Sequence, residues 1–249
     1  MRAVVRRFLA VLLLCTACAA AAREALPAGF VYLRDVAPAI AQEMRYATAN
    51  NFTGHPLPGY DAPECVLRRD AALALARVET DLARRDLRLK VYDCYRPTRA
   101  VAAMAHWTRT ADRSTRRFYP TLDKRRLFTL GYIASHSVHS TGTAVDVTIV
   151  KRDAGPAPAF DPHADYGPCT GAAKRRAPDN SLDMGTAFDC FSPNSFTASA
   201  LINAEQKRWR GVLVAAMHKR GFHNYFREWW HFSYGARPKQ AYDFPIEAR

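Results

Sequence analysis

Beyond its first 22 residues the chain has no two cysteines separated by two to four residues, so it lacks the usual cysteine framework of a structural zinc site. It has no Gly-x-Ser-x-Gly segment, and nothing therefore marks a serine nucleophile at a strand-to-helix elbow. No apolar run reaches the roughly 20 residues a helix needs to cross a bilayer, so no stable membrane span is expected. Acidic side chains are scarce: 23 Asp and Glu stand against 36 Lys and Arg, a formal net charge of +13. That excess is scattered, with only short clusters at residues 124–126 and 174–176, and it is not interleaved with aromatics as a nucleic-acid face requires. No nucleic-acid partner is expected. The excess reads as a solvated surface with some attraction to anionic cell-wall polymer. Internal repeats and disorder-like composition are also missing, and 249 residues with 49% hydrophobic content suit one globular domain with one substantial core.

What is present begins with an export signal. Arg2, Arg6 and Arg7 precede an uncharged stretch over residues 8–22 that ends in small residues, the order of a secretory signal peptide. The reading is a signal over residues 1–22 and one domain over 23–249, giving a periplasmic or secreted protein. Cys18 keeps a lipoprotein as an alternative, although Cys15 stands where a leucine is usual. Processing would remove three arginines and no acid, lowering the charge from +13 to +10. It would also leave Cys65, Cys94, Cys169 and Cys190, an even number that suggests two disulfides in an oxidising compartment. Four cysteines allow three pairings; the favoured one joins Cys65 to Cys94 and Cys169 to Cys190.

Leu73, Leu75, Val78 and Leu82 predict a helix within residues 68–85. Leu87, Leu89 and Val91 alternate with Arg88, Lys90 and Tyr92, the period of a half-buried strand that Pro97 ends, which puts Arg96 just past a strand end. A second helix is expected from Thr98 to Trp107, a strand in the later part of residues 137–150, and a long surface loop over 151–181. Trp209, Val212, Leu213, Ala216 and Met217 predict a helix within 203–220, with Gly221 as its terminator, and the aromatic segment 228–234 suits a buried strand. Helices and strands without regular βαβ alternation imply an α+β domain.

Zinc in a hydrolytic site takes three ligands from His, Asp or Glu and keeps one position open. Two segments offer such side chains in ordered, apolar settings. His139 lies seven residues before Asp146, with Gly142 between them for a tight change of direction. Glu228 and His231 stand three apart in an aromatic run, where an ionisable group is costly unless paired or metal-bound. Together they supply two imidazoles, one ligating carboxylate and one spare carboxylate.

The segments Ser137-Val-His139-Ser-Thr-Gly142-Thr-Ala144-Val-Asp146 and Glu228-Trp-Trp-His231 resemble the zinc D-Ala-D-Ala dipeptidase family. The resemblance extends to Arg45-Tyr-Ala-Thr-Ala-Asn-Asn-Phe-Thr-Gly54, Asp93-Cys-Tyr-Arg-Pro97, Asp183-Met-Gly-Thr-Ala-Phe-Asp189 and Tyr242-Asp-Phe-Pro245, essentially the whole chain after residue 22. It implies a single α+β domain with a central, mainly antiparallel sheet, packed helices and a Zn2+ site at the sheet. It further implies His139, Asp146 and His231 as ligands, Glu228 as general base, Arg96 as the transition-state cation and Asp189 as the anchor for a free amino group. Tyr46 and Ser137 match positions lining that family's substrate pocket.

The activity so implied is hydrolysis of D-Ala-D-Ala or a similar small D,D-dipeptide. A zinc D,D- or L,D-carboxypeptidase acting on peptidoglycan fragments would use the same centre with a more open amino side, and a cell-wall binding module with structural zinc is the non-enzymatic alternative. Glu228 and Arg96 speak against the last, since a structural site more often has four protein ligands and no spare carboxylate. Cys94 lies two residues before Arg96 and Cys190 directly follows Asp189, so the favoured disulfides would brace both groups. The 151–181 loop stands next to Asp189 in sequence and is expected to widen, narrow or lid the pocket.

Overall fold

The computed structural model describes residues 26–236 and 240–249, so the expected signal peptide over 1–22 lies outside the described residues. In chain order the elements are β1 (Phe30–Tyr32), α1 (Leu33–Val36), β2 (Ala41–Gln42), β3 (Val66–Arg68), α2 (Arg69–Ala83), β4 (Leu87–Asp93), α3 (Thr98–Trp107), β5 (Ala144–Lys151), α4 (Ala204–His218), β6 (Phe222–Asn224) and β7 (His231–Tyr234). Five strands form a sheet in the order β2-β4-β5-β7-β6, antiparallel throughout except for the parallel β2–β4 pair. A separate antiparallel ribbon joins β1 to β3. The fold is a single α+β domain, as expected.

Local patterning explains most elements. Helix α2 buries Ala71, Leu75, Val78 and Leu82, a stripe of three- and four-residue steps that packs on β4 and α4. Leu73 is off that stripe and 40% exposed, so it does not belong to the core as its spacing suggested. Helix α4 starts at an Asn203 and Gln206 capping box and buries Leu213 and Met217. Gly221, at φ +87°, turns the chain into β6.

Three expectations are corrected. Strand β4 is not half-buried: Lys90 and Tyr92 on its polar face are as enclosed as Leu89 and Val91. The enclosure is tolerable because Glu43 and Asp179 each approach Lys90 Nζ to 2.7 Å. Lys124, assigned to a solvated basic cluster, is fully buried; it lies over the Trp107 ring and donates to Thr110 Oγ1 and the Asp112 carbonyl. The strand expected over residues 228–234 begins only at His231, and residues 228–230 form the turn that leads into it.

Candidate metal centre

The centre is assembled where β5 and β7 run side by side. Asp146 and His231 are register partners across that ladder, and Asp93 at the end of β4 is the partner of Asp146 on the other side. His139 comes from a 3-10 turn, Val138–Thr141, that leads into β5. The Ser137 hydroxyl caps this turn by accepting from the His139 backbone N–H. Gly142 ends it at φ +76°, and a Cβ there would run into the Phe30 ring, so the glycine expected at this bend is required both by conformation and by space.

Three donor atoms converge. His139 Nε2 lies 3.0 Å from His231 Nδ1 and 3.2 Å from Asp146 Oδ1, and His231 Nδ1 is 3.0 Å from the same carboxylate oxygen. They form a group able to hold a metal ion. His139 Nδ1 donates to the Cys94 carbonyl at 2.7 Å, which fixes the tautomer and leaves Nε2 unprotonated towards the other two donors. Burial alone would push the Asp146 carboxyl up, but His139 and His231 outweigh it and hold the group below the ordinary carboxylate range.

Around this group lies a cleft of about 650 Å³ whose walls include Tyr46, Arg96, Ser137, Asp189 and Glu228. Glu228 Oε2 is 3.9 Å from His231 Nδ1. Burial, reinforced by Asp146 and only partly offset by His231 and Arg96, pushes the Glu228 carboxyl up to about 7. Arg96 sits three residues past β4, and its Nη2 lies 3.6 Å from Asp146 Oδ2. Its guanidinium is fixed by Asp93, with Nε and Nη2 at 2.9 Å and 2.8 Å from Oδ2, and it lies over the Tyr46 ring. Tyr46 in turn donates its hydroxyl to Asp189, 2.9 Å from Oδ2.

Asp189 takes φ +59°, a conformation that costs a non-glycine residue energy and that concentrates at functional sites. Its carboxyl is buried, and burial together with Asp146 and Glu228 pushes it well above the usual range despite Arg96 and the Tyr46 hydroxyl. All eight residues expected from the sequence for metal, catalysis and substrate thus line one cleft. Cys65 is bonded to Cys94 and Cys169 to Cys190, the favoured pairing.

Two features escaped sequence reasoning. Asp93 is fully buried and holds Arg96, Tyr60 and His139 together; its Oδ1 accepts the Tyr60 hydroxyl at 2.6 Å and its Oδ2 lies 3.3 Å from His139 Nδ1. Its signals were an acid three residues before an arginine at a strand end and its place in the Asp93–Pro97 segment of the family resemblance. The 151–181 loop does not line the cleft. It packs behind the Asp189 segment, held by the Cys169–Cys190 bond and by Asp179, which Arg45, Lys90 and Tyr92 all contact.

Three convergent His and Asp donors in a cleft that also holds a buried carboxyl and a fixed guanidinium fit a metal-dependent hydrolase. Comparison with known proteins carries this further. A family model described as D-ala-D-ala dipeptidase matches residues 27–159 and 173–247, leaving out only part of the long loop between them. The chain belongs to this family of peptidases and is an enzyme, which sets aside the reading as a non-catalytic binding module. It is 31% identical over 207 residues to a D-alanyl-D-alanine dipeptidase of Enterococcus faecalis, covering 82% of this chain and 90% of that protein. It is 28% identical over 223 residues to that of Enterococcus faecium (88% and 98% covered) and 29% identical over 221 residues to that of Escherichia coli (88% and 89% covered).

Proposed function

We propose that the protein is an exported, zinc-dependent D,D-dipeptidase that hydrolyses D-Ala-D-Ala or a similar small dipeptide carrying a free amino group. The observation that carries the reading is the placement of a buried carboxylate, Asp189, which makes no direct ion pair among the described residues, in the same cleft as the three convergent donors. The named activity of the Enterococcus and Escherichia relatives supports the substrate class.

The donor set fits zinc. Two imidazole nitrogens and one carboxylate oxygen make a three-ligand hydrolytic set. Ligands about 2.0–2.1 Å from a tetrahedral centre stand about 3.3 Å apart, close to the 3.0 to 3.2 Å separations here. When bound, zinc polarises the scissile carbonyl and makes water acidic near neutral pH.

This chain's own residues supply the rest. Glu228 takes a proton from the attacking water as its oxygen bonds to the carbonyl carbon, and gives that proton to the leaving amine as the C–N bond breaks. Burial pushes this carboxyl up in the metal-free protein, which favours its acting as acid as well as base. Arg96, held against Asp93, presents fixed positive charge where the carbonyl oxygen turns anionic. Asp189 receives the substrate ammonium, with Tyr46 holding the carboxylate, and the Ser137 hydroxyl faces the substrate from the turn that carries His139. An internal amide brings no positive charge to Asp189, so the site selects a free dipeptide over the end of a longer chain.

D-alanine release from D-Ala-D-Ala and from N-acetyl-D-Ala-D-Ala tests this choice. Cleavage of the free dipeptide alone is expected; equal cleavage of the blocked compound would make the enzyme a carboxypeptidase acting on peptidoglycan stem peptides.

A further inference from the structure

We propose that the Cys65–Cys94 disulfide is a positioning element of the metal centre: by fixing the Cys94 carbonyl it orients His139 and so raises the affinity for the metal. The inference rests on the metal-binding reading above.

Cys94 is the first residue beyond β4. The β4–β5 ladder shifts register between Val91 and Asp93, and its last pair is Asp93 with Asp146, so the Cys94 peptide lies past the ladder that holds the rest of the strand. Yet its carbonyl is the nearer of the two acceptors at His139 Nδ1, 2.7 Å away against 3.3 Å for Asp93 Oδ2, and an Nδ1 that donates leaves Nε2 free to ligate. A displaced carbonyl would leave the ring to the longer Asp93 contact alone and let it turn away from the direction in which Nε2 meets the other two donors. Partners of this kind typically govern metal affinity by about 10- to 100-fold.

What holds that carbonyl is strand β3. Cys65 immediately precedes β3 and its sulfur is bonded to Cys94, with Cα atoms 5.3 Å apart. Beside the bond, Tyr95 N–H donates to the Val66 carbonyl at 2.9 Å. At the other end of the same strand, Arg68 N–H donates at 2.8 Å to the carbonyl of Gly142, the residue that closes the His139 turn. Strand β3 therefore holds both partners of the His139–Cys94 hydrogen bond: the His139 turn through the Arg68–Gly142 backbone bond, and the Cys94 peptide through the Tyr95–Val66 backbone bond together with the disulfide. Cys65 is itself set by its backbone: its N–H donates to Gln42 Oε1 and its carbonyl accepts from Leu33 N–H. Both cysteines are fully buried, so the bond acts within the packed core. The second disulfide has a different neighbour. Cys190 follows Asp189, and its carbonyl accepts from Ser195 Oγ rather than from a metal ligand.

The test is the zinc dissociation constant, measured by competition with a chromophoric chelator, for the wild type, Cys65→Ser/Cys94→Ser and Cys169→Ser/Cys190→Ser, with near-ultraviolet circular dichroism to establish folding. The expected result is zinc binding about 10- to 100-fold weaker in the first variant and unchanged in the second. Equal affinity in all three proteins, or equal weakening in both variants, would overturn the inference while leaving the metal reading intact. A wild type that binds no zinc would remove both. Should the serine pair not fold, Cys65→Ala/Cys94→Ala, which buries no hydroxyl, is measured instead; failure of that pair to fold would assign the bond to the fold alone and overturn the positioning role.

Discussion

Asp146 and His231 face each other across the β5–β7 ladder as register partners, and their side chains meet with Oδ1 3.0 Å from Nδ1. The relationship is set by the sheet itself, so two of the three donors are placed by backbone pairing, and only His139 depends on a turn.

Removing a donor should therefore abolish binding without dismantling the sheet. Asp146→Asn and His231→Ala are expected to weaken zinc by more than the roughly 100-fold typical of lost partners to ligands, with far-ultraviolet circular dichroism unchanged. Equilibrium dialysis with metal analysis reads the loss.

Glu228→Gln keeps the shape of the side chain and removes its basicity. A fall in kcat of about 10² to 10⁴-fold is expected with zinc affinity within a few fold of wild type. Steady-state kinetics on zinc-loaded protein, with metal content measured on the same sample, separates the two.

Arg96 needs a variant that keeps its charge. Replacing it by alanine would leave Asp93 buried without its guanidinium partner, at a cost of up to about 3–5 kcal/mol that confuses stability with catalysis. Arg96→Lys retains the charge but loses the fork that grips Asp93. It should lower kcat by roughly 10² to 10³-fold and leave KM nearly constant.

Asp189 has opposite effects on activity and stability. Losing the charge should cut kcat/KM for D-Ala-D-Ala by roughly 10- to 100-fold, the worth of a hydrogen bond to a charged group. In the metal-free protein the Asp189 carboxyl lies well above its ordinary value, so at neutral pH the folded state pays to ionise a group the unfolded state ionises freely. Asp189→Asn should therefore raise the Tm of the metal-free protein at pH 7, and calorimetry checks the sign.

Acid stability depends on a different carboxylate. Arg220, through a bidentate pair, and then Lys219 hold Asp81 at about 2 against 3.8 for the free side chain. A depressed folded value stabilises the protein fully above about pH 4, and the contribution disappears as pH falls through 2. The Tm difference between wild type and Asp81→Asn should be constant from pH 7 to 4 and close towards pH 2.

The elements and residues legible in the sequence were those whose pattern is local. Helix α3 matches Thr98 to Trp107 because its apolar spacing and Pro97 lie within one segment, and the metal group is visible because its ligands fall in two short, distinctive runs. Burial of Lys90 and Lys124 was not legible, since each depends on partners supplied by residues 12 to 90 positions away, Asp112 and Asp179 among them. The position of the 151–181 loop behind Asp189 likewise depends on the Cys169–Cys190 bond and the Asp179 contacts, which no periodicity records, and nothing local marks the left-handed conformation of Asp189.

The most direct test is D-alanine release from D-Ala-D-Ala by wild type and Glu228→Gln, each measured as purified, after chelation and after zinc is restored. Wild-type activity that disappears on chelation and returns with zinc, beside a nearly inactive Glu228→Gln that binds zinc normally, is the predicted result. Hydrolysis that survives complete metal removal, or a Glu228→Gln enzyme as fast as wild type, would contradict the account.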